Sequence, residues 1–203
     1  MIMRDINIEK EFQNITLTGE ICYLFMCMER YLINVFPDCD WTAVSKRMWQ
    51  WSTNWWDKAW DIYSQVVPEF ILEFDTFEKT NENGYDGTLN KEDYIEITSL
   101  LKKATGGMRN DELDRVLYLP IEFGNACEGT SVKAAKQSVV SIIDEIESVL
   151  EKYNIALPDK ALLKHFEYDI RKPQAPGEPE PGWGSFENTE FLSIVLTDCP
   201  SNL

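Results

Sequence analysis

Most apolar residues in this chain recur at the three- and four-residue spacing of one helix face. The run from Ile21 to Phe36 is apolar nearly all round, which predicts a central helix with Thr18 as its N-cap and Pro37 just beyond its end. From Trp41 to Tyr63, apolar residues that include six tryptophans fill one half of a helix, and polar residues fill the other. This division predicts a long amphipathic helix, capped near Asp40, whose tryptophans form core rather than a stacking platform for bases or sugars.

Shorter elements follow the tryptophan-rich segment. Pro68 is predicted to end or redirect the preceding helix, and residues 69–77 form a short acidic amphipathic stretch. After a turn rich in glycine and asparagine, Asn90 is predicted to cap a helix, with Asp93 three residues later as a weak capping box. Two glycines at 106–107 are the predicted stop of that helix.

The most sustained periodicity lies in the second half of the chain. Residues 132–153 carry apolar side chains at alternating spacings of three and four for three heptads, which predicts a core helix of a bundle. A helix around Leu113 is predicted to be kinked or broken at Pro120, and a last short helix is predicted from Pro158 to about Tyr168. The predicted seam consists of Val132, Ala135, Val139, Ile142, Ile146, Val149 and Tyr153.

The C-terminal part of the chain differs in composition. Residues 173–182 read PQAPGEPEPG, and four prolines with two glycines exclude a helix or a central strand and predict a semi-rigid extended tether. We therefore predict an all-α, multi-helix bundle over residues 1–172 and a Pro/Gly-rich tether over 173–184. An apolar C-terminal segment over 185–203 is expected to dock on the body or on a partner.

Charge and cysteine content narrow the possible partners and compartment. With 35 Asp and Glu against 19 Lys and Arg, the formal charge is −16, which excludes nucleic acid and anionic membrane surfaces as partners. The longest apolar run, Ile21–Met28, is far shorter than the roughly 20 residues of a membrane helix, and the first residues lack the apolar core of a signal peptide. Five scattered cysteines without CxxC spacing are typical of free thiols. We therefore predict a cytoplasmic protein.

Catalytic chemistry has little support in the sequence. There is a single histidine, His165, and no GxSxG, P-loop or GxGxxG sequence occurs. With 35 carboxylates in the chain, many lie near one another by chance, so their proximity is weak support for acid–base catalysis. We predict no enzyme activity, no catalytic or metal site and no cofactor. An enzyme that uses Cys127 or Cys39 as nucleophile is a weaker alternative.

One stretch resembles a known metal-binding motif. Residues 82–93, ENGYDGTLNKED, are similar to the twelve-residue loop of the EF-hand family, with Gly87 at position six and Asn90 at position nine. Gly84 at position three brings no side-chain oxygen, and Asp93 at position twelve is shorter than the usual glutamate. A glycine turn that leads into an Asn-capped helix is therefore the simpler interpretation.

The negative charge is concentrated near this stretch. Residues 69–98 carry nine acids against Lys79 and Lys91, a net charge of −7 in thirty residues. The simplest interpretation is a solvated acidic face, and the functional interpretation is a surface complementary to a basic partner. The predicted partner-binding residues are Glu69, Glu73, Asp75, Glu78, Glu82, Asp86, Glu92, Asp93 and Glu96.

Three features together resemble a family of binding proteins. The tryptophan-rich helix at 41–60, the acidic segment that leads into NKEDY at 90–94 and the long helix at 132–153 are similar to the all-α immunity proteins of bacterial polymorphic toxin and contact-dependent inhibition systems. This likeness of pattern covers about residues 19–155. It implies one-to-one binding to the C-terminal domain of a secreted toxin, often a nuclease, through which the toxin is held inactive. The alternative function is a helical interaction or calcium-responsive module that uses the loop at 82–93.

Overall fold

The chain folds into a set of packed helices, and the predicted all-α, multi-helix fold is confirmed. A computed structural model describes residues 8–52, 64–82, 89–169, 180–184 and 189–197. The α-helices are α1 (Leu17–Val35), α2 (Thr42–Ser52), α3 (Pro68–Ile71), α4 (Phe77–Glu82), α5 (Lys91–Thr105), α6 (Asp111–Cys127), α7 (Val132–Lys152) and α8 (Ile194–Thr197). Short 3-10 helices cover Ser64–Val66, Lys160–Phe166 and Glu190–Leu192. Within these ranges, no helix combines the length and apolar character needed to cross a lipid bilayer.

Helix α1 is the centre of the core, as its apolar pattern predicts. It packs against α2, α6 and α7 and against the 3-10 helix Lys160–Phe166. Its N-cap is Thr16, whose hydroxyl oxygen accepts a hydrogen bond from the Gly19 N–H, so the prediction of Thr18 as the cap is wrong. Thr18 lies inside the first turn, where its hydroxyl donates to the carbonyl of Trp183. That partner comes from the far end of the sequence, so local pattern could not reveal it.

Helices α6 and α7 form the second half of the core. The first five residues of the predicted seam are buried on α7, which packs against α1 and α6. Tyr153, the last predicted seam residue, is the C-cap of α7 and is 40% exposed. Helix α6 continues through Pro120, so a break at this residue is wrong. Proline removes one backbone hydrogen bond, and the buried neighbours Leu119 and Ile121 anchor the helix on both sides.

The tryptophan-rich helix is described only in part. Helix α2 ends the described range at Ser52, and residues 53–63 lie outside it. Trp41 and Trp49 are fully buried, which confirms the predicted core role for these two. The predicted capping group Asp40 accepts a hydrogen bond from the Thr42 N–H at 3.0 Å. Pro68 occupies the first turn of α3, where its missing N–H has no intrahelical partner to lose.

Helix α5 begins and ends as the sequence predicts. The side-chain oxygen of Asn90 accepts a hydrogen bond from the Asp93 N–H at 2.8 Å. At the other end, Gly106 adopts a left-handed backbone conformation with φ of 62°, which favours glycine. Local chemistry therefore determines both boundaries of this helix.

Replacing Asn90 with alanine should lower the free energy of unfolding by about 1 kcal/mol, because the Asp93 N–H loses its acceptor. Urea unfolding measures this loss. The matched control is Ser99→Ala, an exposed position of the same helix, which should change stability by less than about 0.5 kcal/mol. Equal losses in the two variants would contradict the capping role of Asn90.

Residues 180–184 connect the N-termini of two core helices. The carbonyls of Gly182 and Trp183 accept hydrogen bonds from N–H groups in the first turn of α1, at 2.8 and 3.1 Å. The carboxylate of Glu180 accepts a hydrogen bond from the N–H of Val132, the first residue of α7, at 3.1 Å. Since the first N–H groups of a helix have no intrahelical acceptor, this one segment caps α1 and α7 together.

The remaining C-terminal elements are short. The predicted helix from Pro158 to Tyr168 is instead the 3-10 helix Lys160–Phe166, capped by Asp159. Residues 189–197 form a further 3-10 turn and α8, and α8 packs against α1 and α2. Residues 170–179, which hold most of the proline-rich sequence, lie outside the described ranges.

Candidate functional site

The predicted partner-binding acids lie on and between α3, α4 and α5. Glu69, Glu73, Asp75 and Glu78 are exposed, as are Glu92 and Glu96, whereas Asp93 is half-buried. Glu82 is the last residue of α4, and its side chain is outside the described part, as is the whole of Asp86. The structure thus brings seven of the nine predicted side chains to one group of neighbouring helices.

Four of these acids have a basic partner. Asp75 pairs with Lys79 at 3.0 Å and Glu78 with Lys91 at 2.8 Å. The hydrogen bond from the lysine lowers the pKa of each of these two carboxyls below its ordinary value. Asp93 pairs with Arg47 of α2, and Glu69 lies 3.9 Å from Arg109. Each of these four acids therefore has a positive charge beside it that offsets its own.

The other three acids have no ion-pair partner among the described residues. No Lys or Arg of the described ranges lies within ion-pair distance of Glu73, Glu92 or Glu96. The local negative potential of this surface therefore comes mainly from these three carboxylates. Counting acids along the sequence gives the total charge, but only the fold shows which acids have partners.

Two of the uncompensated acids flank an exposed apolar side chain on α5. Glu92, Ile95, Glu96 and Ser99 follow helical spacing and form the α5 outer stripe, and all four are exposed. Ile95 is 53% exposed, which is unusual for a large apolar residue. The opposite face of α5 is buried through Tyr94, Ile97 and Leu101. Within the part of the chain that the structure describes, the α5 outer stripe lies outside the core and combines an apolar centre with a negative rim.

The EF-hand-like loop is described only at its end. Residues 83–88 lie outside the described ranges. The side chain of Asn90 caps α5, and the carboxylate of Asp93 accepts hydrogen bonds from the Asn90 side-chain amide, at 3.0 Å, and from Arg47. The side chains at positions nine and twelve of the loop are therefore both engaged in protein contacts. The calcium-responsive alternative stays a prediction.

Sequence reasoning missed three buried glutamates, of which the first is Glu20. This residue is 2% exposed, and its carboxylate pairs with the ammonium group of Lys136 on α7. Burial raises the pKa of Glu20 to about 7, and the opposing effect of Lys136 is smaller. Glu20 therefore titrates near neutral pH instead of remaining fully ionised.

The second buried carboxylate, Glu29, fastens the C-terminal segment to the core. Its Oε1 accepts hydrogen bonds from the Trp49 indole N–H at 2.8 Å and from the Ser193 hydroxyl at 2.6 Å. Its Oε2 accepts the N–H of Ile194, the first residue of α8, at 2.8 Å. Glu29 thus links α1, α2 and α8 at a single fully buried point.

The third buried carboxylate, Glu147, joins α7 to α1 and to the 3-10 helix Lys160–Phe166. It accepts a hydrogen bond from the Tyr23 hydroxyl at 2.7 Å and lies 3.1 Å from the ammonium group of Lys160. Lys160 also lies 5.0 Å from the centre of the Phe12 ring. These contacts make the buried side chain of Glu147 part of the connection between α7, α1 and this 3-10 helix.

A signal in the sequence could have revealed two of these glutamates. Glu20 and Glu29 belong to the helix whose sides are apolar nearly all round, so neither has a polar face on which to lie. An acid in such a helix must be buried with partners. Glu147 follows the seam residue Ile146 on α7 and carries no comparable signal.

A cleft of about 650 Å³ lies beside the Glu20–Lys136 pair. It is bordered by residues 8–13, by the first three turns of α7, and by residues 180–182 with Tyr168. Its volume falls within the range of small-molecule sites in proteins. Neither the motifs nor the periodicity of the sequence indicates this cleft.

Three of the described cysteines lie in the core, whereas the histidine lies at the surface. Cys22, Cys27 and Cys127 are buried free thiols, and burial raises the pKa of Cys22 and of Cys127 to about 12. A raised pKa disfavours the reactive thiolate. His165 is exposed, and its ring packs edge-on against Phe166 and Phe191.

Comparisons with protein families, with curated proteins and with solved structures found no match for this chain. The chain is therefore described by its own fold and surface. It is an all-α protein with an acidic surface over α3–α5 and three buried glutamates at or beside α1.

Proposed function

We propose that this chain is an immunity protein that binds and neutralises a cognate secreted toxin domain. The observation that carries the proposal is the α5 outer stripe, where Ile95 is exposed between the uncompensated acids Glu92 and Glu96. An apolar centre with a charged rim is the usual anatomy of a specific protein interface. The sequence resemblance to all-α immunity proteins supports the same function.

The proposed partner is a toxin domain with a basic surface, most simply a nuclease. A nuclease must present basic groups to its polyanionic substrate, and carboxylates can occupy the same positions as phosphates. In this mechanism Glu92, Glu96 and Glu73 replace substrate phosphates, while Ile95 enters an apolar depression beside the cleft. Such a protein acts in the cytoplasm of the cell that it protects.

Gene context gives the first test. A neighbouring gene for a large secreted protein supplies the candidate toxin domain, which is expressed as a catalytically inactive variant and mixed with this chain. We expect a one-to-one complex on size-exclusion chromatography and loss of toxin activity on addition of this protein. Failure of the neighbouring domain to bind would contradict the proposed function.

Association kinetics test the surface itself. Replacing Glu73, Glu92 and Glu96 together with glutamine should slow association with the toxin domain about tenfold at low salt, because electrostatic steering is lost. The dissociation rate should change less. Surface plasmon resonance over a series of sodium chloride concentrations measures both rates.

The matched control removes three charges from acids that already have basic partners. Glu69→Gln, Asp75→Asn and Glu78→Gln change the net charge by the same amount and should slow association only about twofold. Equal slowing by the two triple variants would contradict the role of the uncompensated acids.

Ile95→Ala should instead speed dissociation about tenfold, as expected for the centre of an interface.

A further inference from the structure

The cleft beside Glu20 has mainly apolar walls. Ile8 and Phe12 contribute from residues 8–12, which are helical. Val140 and Ile143 contribute from α7, and Pro181 contributes from residues 180–184, which cap α1 and α7. The ring of Tyr168 completes the wall next to Lys136. A ligand that enters this space must therefore carry an apolar body.

The ammonium group of Lys136 has no hydrogen bond left for a ligand. It donates to the carbonyl of Phe12 at 3.0 Å, to the carbonyl of Ile15 and to Oε1 of Glu20. Lysine has three N–H donors, so all are used. An incoming anion would have to break one of these buried contacts before it could bind to Lys136.

The cleft instead offers acceptors and aromatic faces. Among the described residues, no donor reaches Oε2 of Glu20, although Glu20 lines the cleft. The rings of Phe12 and Tyr168 border the same space and can attract a cation through their faces. Of the charged residues that the structure describes around the rim, two are acids, Glu9 and Glu180, and one is a base, Lys133.

We propose that the cleft is a binding site for a small organic ammonium ion, a primary amine on an apolar or aromatic body. The ammonium group donates to Oε2 of Glu20, and the body packs against Phe12, Val140 and Ile143. The net charge of −16 favours a cationic ligand over an anionic one. The site is separate from the α5 outer stripe, so this proposal does not depend on the proposed function.

Binding should strengthen as pH rises through neutrality. The ammonium ion needs an ionised Glu20, whose pKa burial raises to about 7. The groups that face Glu20 are Lys136 on α7, Cys127 on α6 and Tyr168, with Glu9, Lys133 and Glu180 at the rim. An aliphatic amine is protonated throughout the range from about pH 6 to about pH 8, so the change in affinity reports on the protein.

Isothermal titration calorimetry with three probes of similar shape tests the proposal. We expect 2-phenylethylamine to bind at least about tenfold more tightly than the neutral 2-phenylethanol or the anionic 3-phenylpropionate, with affinity for the amine increasing from about pH 6 to about pH 8. Equal binding of amine and alcohol, tighter binding of the carboxylate, or no binding of any probe at millimolar concentration would each overturn it.

Two variants locate the site. Glu20→Gln should weaken binding of 2-phenylethylamine at least about tenfold and remove its pH dependence. Val140→Trp should abolish binding, because the larger side chain fills the cleft from a half-buried position on α7. This variant tests the site even if Glu20→Gln does not fold. The control Glu96→Gln removes an exposed acid outside the cleft and should leave binding unchanged. Unchanged binding in Val140→Trp would show that the amine binds elsewhere and overturn the proposal.

Discussion

Glu29→Ala should lower the free energy of unfolding by about 4 kcal/mol. The carboxylate accepts hydrogen bonds from the Trp49 indole, the Ser193 hydroxyl and the Ile194 N–H, and all three donors lose their acceptor in the variant. A buried donor that is left without its acceptor costs about 1–3 kcal/mol, so three such donors account for a loss of about 4 kcal/mol. Urea unfolding followed by tryptophan fluorescence measures the change.

The matched control is Glu96→Ala, the same substitution at an exposed helical position, which should change stability by less than about 0.5 kcal/mol. A second measurement separates local from global loss. Amide hydrogen exchange at Ile194 should become faster in Glu29→Ala even under conditions where α7 remains protected, because the N-terminus of α8 has lost its acceptor. A loss of stability below about 1 kcal/mol would contradict the anchoring role of Glu29.

Glu20 should make stability depend on pH between about 4.5 and 7. Its pKa in the folded protein is about 7, against an ordinary value of 4.5, so the folded state holds this proton more tightly than the unfolded state does. The resulting stabilisation is fully present below about pH 4.5 and is lost as pH rises through about 7. A difference of this size corresponds to about 3 kcal/mol.

Comparison with Glu20→Gln isolates this contribution, because glutamine does not titrate. The free energy of unfolding of the parent protein minus that of Glu20→Gln should decrease by about 3 kcal/mol from about pH 4.5 to about pH 8. Urea unfolding at a series of pH values provides both quantities. Ser99→Ala, an exposed substitution that removes no titratable group, should give a nearly constant difference. A difference that stays constant or increases with pH for Glu20→Gln would show that Lys136 outweighs burial.

Sequence reasoning succeeded where neighbours along the chain determine the structure. The cap at Asn90, the left-handed stop at Gly106 and the buried seam from Val132 to Ile146 all depend on residues within a few turns. The central position of α1 followed from apolar residues on all its sides. These features follow from backbone hydrogen bonding and helical periodicity, because both depend on residues that are close in the sequence.

The sequence did not predict the roles of polar residues whose partners are distant in sequence. The ion pair of Arg47 with Asp93 removes one acid from the predicted surface, and it joins two helices that the periodic pattern treats separately. Glu29 binds residues at the far end of the chain. Thr16 rather than Thr18 caps α1, because Thr18 is engaged by Trp183. In each case a tertiary contact decides the role of a polar residue, and no pattern within one segment contains that information.

Residues 180–184, which cap both α1 and α7, constrain the order in which the chain can fold. Thr18 and Trp183, which this segment brings together, are 165 residues apart. During synthesis, α1 emerges well before the acceptors for its opening turn and before the carboxylate that caps α7. The core therefore cannot be completed strictly in the order of the chain, because the first turn of α1 waits for residues 182 and 183. Its closing step is a long-range contact of the kind that slows folding.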